Sequence, residues 1–216
     1  MTNRDFEIIY KRLCHDVANL QLNAAFNHMK ELANECQNPY AQSQCEEIEE
    51  TYLNLLKYAV DRYDDPERDN IFNKIQIQLL ELADDLRNSH FTKNSNNIVY
   101  QYKRSTDTNV AASRSDGSFL RNYFMELFLS DKYSAVQTEQ CIETISAPDI
   151  RENYKCTLVS AVMLGLIRTF DEAKLHLLLD FFNLPSKAIR QRALVALVFA
   201  ASIYSQRIPI YKKLIF

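Results

Sequence analysis

Apolar residues recur at spacings of three and four along most of the chain, the period of a helix with one buried face. Phe6, Ile9, Tyr10, Leu13 and Val17 mark a first helix that runs to about Ala18. After a polar break at 19–21, a second is marked by Leu22, Ala25, Phe26, Met29, Leu32 and Ala33. Asn38-Pro39 reads as an N-cap with proline in the first turn, where its missing N–H costs nothing. The third helix carries Tyr40, Cys45, Ile48, Tyr52, Leu55, Leu56, Ala59 and Tyr63. Asp64-Asp65-Pro66-Glu67 repeats the start signal, and Ile71, Ile75, Leu79, Leu82 and Leu86 follow. Four helices with short breaks predict two antiparallel hairpins over residues 1–91.

Residues 92–117 break the period. The stretches 92–97 and 109–117 are polar turn material, and Ile98-Val99-Tyr100-Gln101-Tyr102 between them reads as a short extended piece. A segment of this length predicts a mobile linker or an ordered lid. Helical spacing resumes over 118–216, at 119–129 and 134–145 and then through Leu158, Val162, Leu166 and Ile167. Leu175, Leu178, Leu179 and Phe182 mark the next helix, and Ile189, Ala193, Leu197 and Ala200 the one after. Ser134-x-x-Gln137, Asp149-x-x-Glu152 and Thr169-x-x-Glu172 read as capping boxes, and Ser186 as a further cap. The pattern amounts to about nine helices, hence an all-α fold.

The second half repeats itself. Leu158-Val159-Ser160-Ala161-Val162 aligns with Leu194-Val195-Ala196-Leu197-Val198 at an offset of 36, and Pro148 falls on Pro185 at 37. A helix pair of this length with proline at its turn predicts a stacked solenoid. Over residues 131–206 the chain resembles a HEAT-type repeat, with Pro185 to Leu197 matching the turn and second helix. That family places Asp after the turn and Arg within the helix; here Asp149 stands in one copy and Arg190 in the other, with Ser186 in place of the second Asp. The resemblance implies hairpins stacked as a right-handed α-α superhelix whose concave face binds a protein or peptide.

A second resemblance covers more of the chain. Leu22-x-x-Ala25-Phe26-x-x-Met29-x-x-Leu32, Tyr63-Asp64-Asp65-Pro66-Glu67-Arg68, Leu82-Ala83-Asp84 and Arg168-Thr169-Phe170-Asp171-Glu172 look like the start of long bacterial proteins with tetratricopeptide-type repeats downstream. No activity comes with it. It implies an N-terminal part of a larger helical-repeat protein, with downstream repeats of the same polypeptide as partners.

Composition sharpens this by exclusion. The 216 residues include two glycines, too few for a phosphate-cradling loop, a dinucleotide fingerprint or a run of tight hairpins. Net charge is −3, yet residues 1–91 hold 9 basic against 17 acidic side chains and residues 92–216 hold 16 against 11. Beyond Asp180 the only charged residues are Lys187, Arg190, Arg192, Arg207, Lys212 and Lys213. Five cysteines without a C-x-x-C pair read as reduced thiols. The polar start and an apolar run of only eleven residues at 193–203 predict a cytoplasmic protein without a membrane partner.

Chemistry is sparse. His15, His28, His90 and His176 are scattered, Cys14-His15 point to different helix faces, and Cys36 and Cys45 lack a second ligand nearby. The acids of Glu46-Glu47-x-Glu49-Glu50 read as a solvated face. Catalytic, cofactor-binding and metal residues are therefore all read as none, and no cofactor is expected. Candidate interaction residues are Tyr52 and Tyr58, from a tyrosine-rich stretch, and Lys187, Arg190 and Arg192. The leading function is a non-catalytic scaffold for protein–protein contact. The alternative is a nucleic-acid binder that uses the basic stretch 187–213 on phosphates. At the end, Ile208-Pro209-Ile210-Tyr211 begins like another helix, and Leu214-Ile215-Phe216 leaves apolar residues and unbalanced cations. Truncation before a further repeat explains both; folding back of 208–216 onto the last hairpin is the other explanation.

Overall fold

A computed structural model describes residues 1–60, 67–105 and 117–212. In chain order the first helices are α1 (Asn3–Ala18), α2 (Leu22–Glu35), α3 (Pro39–Val60), α4 (Arg68–Asn94) and α5 (Ile98–Ser105). They are followed by α6 (Gly117–Leu129), α7 (Ala135–Ser146), α8 (Glu152–Arg168), α9 (Glu172–Phe182), α10 (Lys187–Ile203) and α11 (Ile208–Lys212). The fold is all-helical, with no strand among the described residues. None of the described helices is long and apolar enough to cross a membrane. Packing divides the chain into two compact units, one of Met1–Gln101 with Gln206–Phe216 and one of Tyr102–Ser205.

In the first unit α1 packs on α2 and α4, and α3 closes against both of those. Thr2 starts α1 with a capping box: its hydroxyl accepts from the Asp5 amide and the Asp5 carboxylate accepts from the Thr2 amide. Asn38 caps α3 by accepting from the Ala41 amide at 3.2 Å, as the Asn-Pro pair predicts. Phe6, Leu13, Val17, Phe26, Met29, Leu32, Leu79 and Leu86 are all within 1% of complete burial. The Phe6 ring stacks on His90 at 4.0 Å between centroids, which fixes α1 along the last turns of α4. The turn residues Tyr63, Asp64, Asp65 and Pro66 lie outside the described residues.

In the second unit α8 is the central helix, packed against α6, α9 and α10, while α7 lies on α8 and α9. Its small residues decide the spacing. A Cβ on Gly165 would stand 2.9 Å from the Leu127 carbonyl oxygen and 3.3 Å from that of Phe128. Only glycine lets α8 approach the end of α6 this closely.

Several expectations are corrected. Residues 98–102 are not extended but open α5, because the Asn97 side chain accepts the Val99 amide at 2.9 Å. Tyr100, stacked 5.8 Å from Phe91, is buried there. Packing overrides the β-propensity of two branched residues. α4 continues through Asn94, past the boundary read at 91, and the remainder of the linker, 106–116, lies outside the described residues. α5 and α11 bring the helices among the described residues to eleven.

Of the predicted caps, Ser134 makes its box with Gln137 and Ser186 caps α10. The other two differ. α8 starts from Arg151 without a side-chain cap, since the Glu152 carboxylate instead accepts the Ser186 hydroxyl. α9 starts from Asp171, which accepts the Ala173 amide at 3.2 Å, so Thr169 is two residues too early. The apolar alignment at 36 also shifts: α8 and α10 are both 17 residues long and begin 35 residues apart.

Candidate functional site

The Ser186 oxygen accepts the Ile189 amide at 3.3 Å and so fixes the start of α10. The face that α10 turns to α8 and α9 is mostly small, with Ala193, Ala196 and Ala200 at most 1% exposed beside Ile189 at 3%. Most of its other large residues point away. Leu194 is 48% exposed, Val195 49%, Val198 61%, Phe199 49% and Ile203 48%. A helix with one covered face ordinarily shows polar side chains outward. Each exposed Å² of apolar surface forgoes roughly 25 cal/mol of burial, so a contiguous stripe of large residues is a costly surface to leave in water.

The predicted cations sit at the start of this stripe. Lys187, Arg190 and Arg192 are all exposed, and Arg192 Nη1 also donates to Ser160 Oγ on α8 at 2.9 Å. Three cations within the first two turns oppose the positive end of the helix dipole. Electrostatically, this end favours an acidic neighbour. The sequence pattern reads the stripe as part of a repeat and does not mark it as a surface. The signal that could have found it is a helix apolar on all sides, which requires neighbours on more than one side.

The two tyrosines do not join this surface. Tyr52 is 7% exposed, its ring 5.6 Å from that of Phe26 and 6.2 Å from that of Phe72. It fills the core between α2, α3 and α4, so it offers no face to a partner. The side chain of Tyr58 lies outside the described residues.

Arg207 also leaves the basic stretch. Its guanidinium meets the Asp84 carboxylate with both forks, at 3.1 Å and 2.6 Å, and the pair is buried. Tyr10 donates its hydroxyl to Asp84 Oδ1 at 2.6 Å, and Arg207 lies 5.6 Å from the Tyr211 ring centroid. Burial pushes the Tyr211 hydroxyl up to about 12 and the nearby Cys14 thiol up to about 11. Asp84 thus supplies the acid for Arg207, which has none in its own stretch of sequence. Ile210 and Tyr211 are buried with it, on α4 rather than on the last hairpin, and Leu214, Ile215 and Phe216 lie outside the described residues.

A second buried polar cluster closes the end of α6 with cations. Arg168 donates to the Phe128 and Leu129 carbonyls at 3.3 Å and 2.7 Å and to Asp131 Oδ1 at 2.6 Å. Lys174, fully buried, donates to the Ser130 and Asp131 carbonyls at 2.8 Å each and lies 4.8 Å from the Tyr133 ring centroid. Two cations on the carbonyl end of a helix satisfy acceptors that have no helical partner. Asp171 completes the corner by accepting the Tyr133 amide at 2.9 Å. These groups hold backbone together; the geometry spends their hydrogen bonds on carbonyls and caps.

The cysteines are free thiols, and burial pushes every one upward: Cys45 to about 11, Cys141 to about 12, and Cys36 and Cys156 in the same direction. A thiol held above its ordinary range is a poor nucleophile at neutral pH. Among the described residues no group of three His, Cys, Asp or Glu side chains is placed to hold a metal ion. An open groove of about 670 Å³ is lined by Tyr133, Ala135, Thr138, Glu139, Ile142, Glu143 and Ala173. No protein-family model matches the chain, and no match was found among curated proteins or solved structures.

Proposed function

We propose that the chain is a non-catalytic scaffold whose hairpins stack as a HEAT-like, right-handed superhelix and which binds another protein through the outer face of α10. The observation that carries this reading is the outward turn of Leu194, Val195, Val198 and Phe199 on a helix whose inner face is mostly alanine. Val198 is the most exposed of these, so an aspartate there removes the surface without touching the core. Capture from a lysate of the source organism tests the reading. The wild type is expected to retain a partner that Val198→Asp loses; equal recovery by both proteins sinks it.

The second reading, nucleic-acid binding through the stretch 187–213, is favoured by Lys187 and Arg190, both exposed beside each other. It is weakened by the burial of Arg207 against Asp84. Phosphate binding falls steeply between about 50 and 200 mM salt. Retardation of random duplex DNA at the lower salt and its loss at the higher would favour this reading over the scaffold.

A further inference from the structure

We infer that the partner of the α10 face is a second copy of this chain, which docks its α3 face there in a head-to-tail contact. The inference rests on the scaffold reading and names its occupant. α10 presents cations followed by apolar residues, and its partner therefore needs acids followed by apolar residues at the same spacing. α3 carries that pattern. Glu46, Glu47 and Glu50 are exposed on it, as are Leu53 at 47% and Leu56 at 36%. Glu49, from the same acidic run, is already paired with Lys30 at 2.6 Å and lies to the side. The order matches, and so does the spacing from the first charge to the first apolar residue. Glu46 precedes Leu53 by seven residues, and Lys187 precedes Leu194 by seven. Seven residues are two helical turns, so in each helix the charged and the apolar residue share one face.

Laid parallel, the two helices pair Glu46 with Lys187, Glu50 with Arg190, and Leu53 and Leu56 with Leu194 and Val198. Equivalent helices of neighbouring solenoid repeats run parallel in the same way. The acids also lie where the dipole of α10 favours negative charge. Because the two faces differ, the contact is heterologous: a copy bound at its α10 face still offers its own α3 face. Such a contact grows until it closes into a ring or continues as a filament. One helix face is smaller than a standard stable interface, so association is expected to be weak, concentration-dependent and reduced by salt.

Sedimentation of the wild type across a range of concentrations, with two single variants, tests this. The average mass of the wild type should rise past that of a dimer, and less so at high salt. Val198→Asp and Leu53→Asp, both on exposed positions, should each be monomeric alone. Mixed in equal amounts they should form a dimer that grows no further, since one intact face of each kind remains. A wild type that stays monomeric at every concentration overturns the inference and leaves the scaffold reading to the lysate capture. Leu53→Asp that still self-associates alone overturns it too, as does loss of association in Glu139→Lys with Glu143→Lys, which would move the contact to the groove beside α7. Circular dichroism of each variant against the wild type establishes that the fold is intact.

Discussion

α8 and α10 are the same length and both largely apolar, yet one is mostly sheathed and the other half bare. α8 buries Leu158, Val159, Ala161, Val162 and Leu166 because it has neighbours on several sides, α6, α9 and α10. α10 packs only on α8 and α9 among the described elements of its unit. When the two helices are aligned by their ends, Leu158, Ala161 and Gly165 fall on Ala193, Ala196 and Ala200, all buried. Val159 and Met163, on the other side of α8, fall on Leu194 and Val198, both exposed. Val159 is buried at the position where α10 leaves Leu194 48% exposed. α10 carries more large apolar residues than α8 and α9 cover.

The largest test exchanges one residue type at a sheathed and at a bare position. Val162→Asp places an unpaired carboxylate where the side chain is fully buried, and should cost at least about 4 kcal/mol. Val198→Asp, at 61% exposure, should change the stability of the monomer by no more than about 0.5 kcal/mol. Urea unfolding of both variants at low protein concentration measures the difference. Equal losses would mean that the outer face of α10 is covered within the monomer, and the comparison would fail.

A smaller effect separates the inner faces. Gly165→Ala drives a methyl group to 2.9 Å from the Leu127 carbonyl oxygen. That oxygen is held in place by the Tyr133 hydroxyl at 2.6 Å, and the neighbouring Phe128 carbonyl by Arg168. The site cannot yield cheaply, so a loss of roughly 1–3 kcal/mol is expected. At the matching position of α10 the preference reverses. Ala200→Gly removes a buried methyl group and loosens the helix, at about 1 kcal/mol. If Gly165→Ala raised the urea midpoint instead, the close approach of α8 to α6 would be wrong.

Much of this architecture is legible in the amino-acid sequence. The three-and-four spacing locates nine of the eleven helices, and Ser134 and Ser186 mark their starts by hydroxyls that accept amide protons. Three things stay hidden in it, each for a physical reason. α11 belongs with the first unit because Arg207 reaches Asp84 across 123 positions of sequence, a contact with no local signature. α5 depends on the Tyr100–Phe91 stack, a tertiary contact that overrides local propensity. Which of two apolar faces of α10 is covered has no local signature, since both read as hydrophobic. The repeat register shows the same limit. Residue identity favours 36, whereas the helix ends stand 35 apart, and a slip of one residue turns a helix by about 100°.

That register makes a last, smaller prediction, at the helix starts. With the ends aligned, Arg151 of α8 stands where Ser186 stands in α10. Both residues have extended backbone, with φ −63° and ψ 142° for Arg151 and φ −66° and ψ 121° for Ser186. Only the serine offers an oxygen to the amides of its helix; Arg151 makes no side-chain cap. The backbone of α8 is thus already in the geometry that a cap requires, and lacks the acceptor. Arg151→Ser should raise stability by about 0.5–1 kcal/mol, and Ser186→Ala should lower it by about 1 kcal/mol. The second variant also frees Glu152 from the Ser186 hydroxyl, so its loss should be the larger of the two changes. The sites lie at the starts of two helices in one unit, and shifts in the urea midpoint of opposite sign are the expected result. A loss on Arg151→Ser would mean that α8 and α10 are not equivalent at their starts, and the 35-residue register would fall with it.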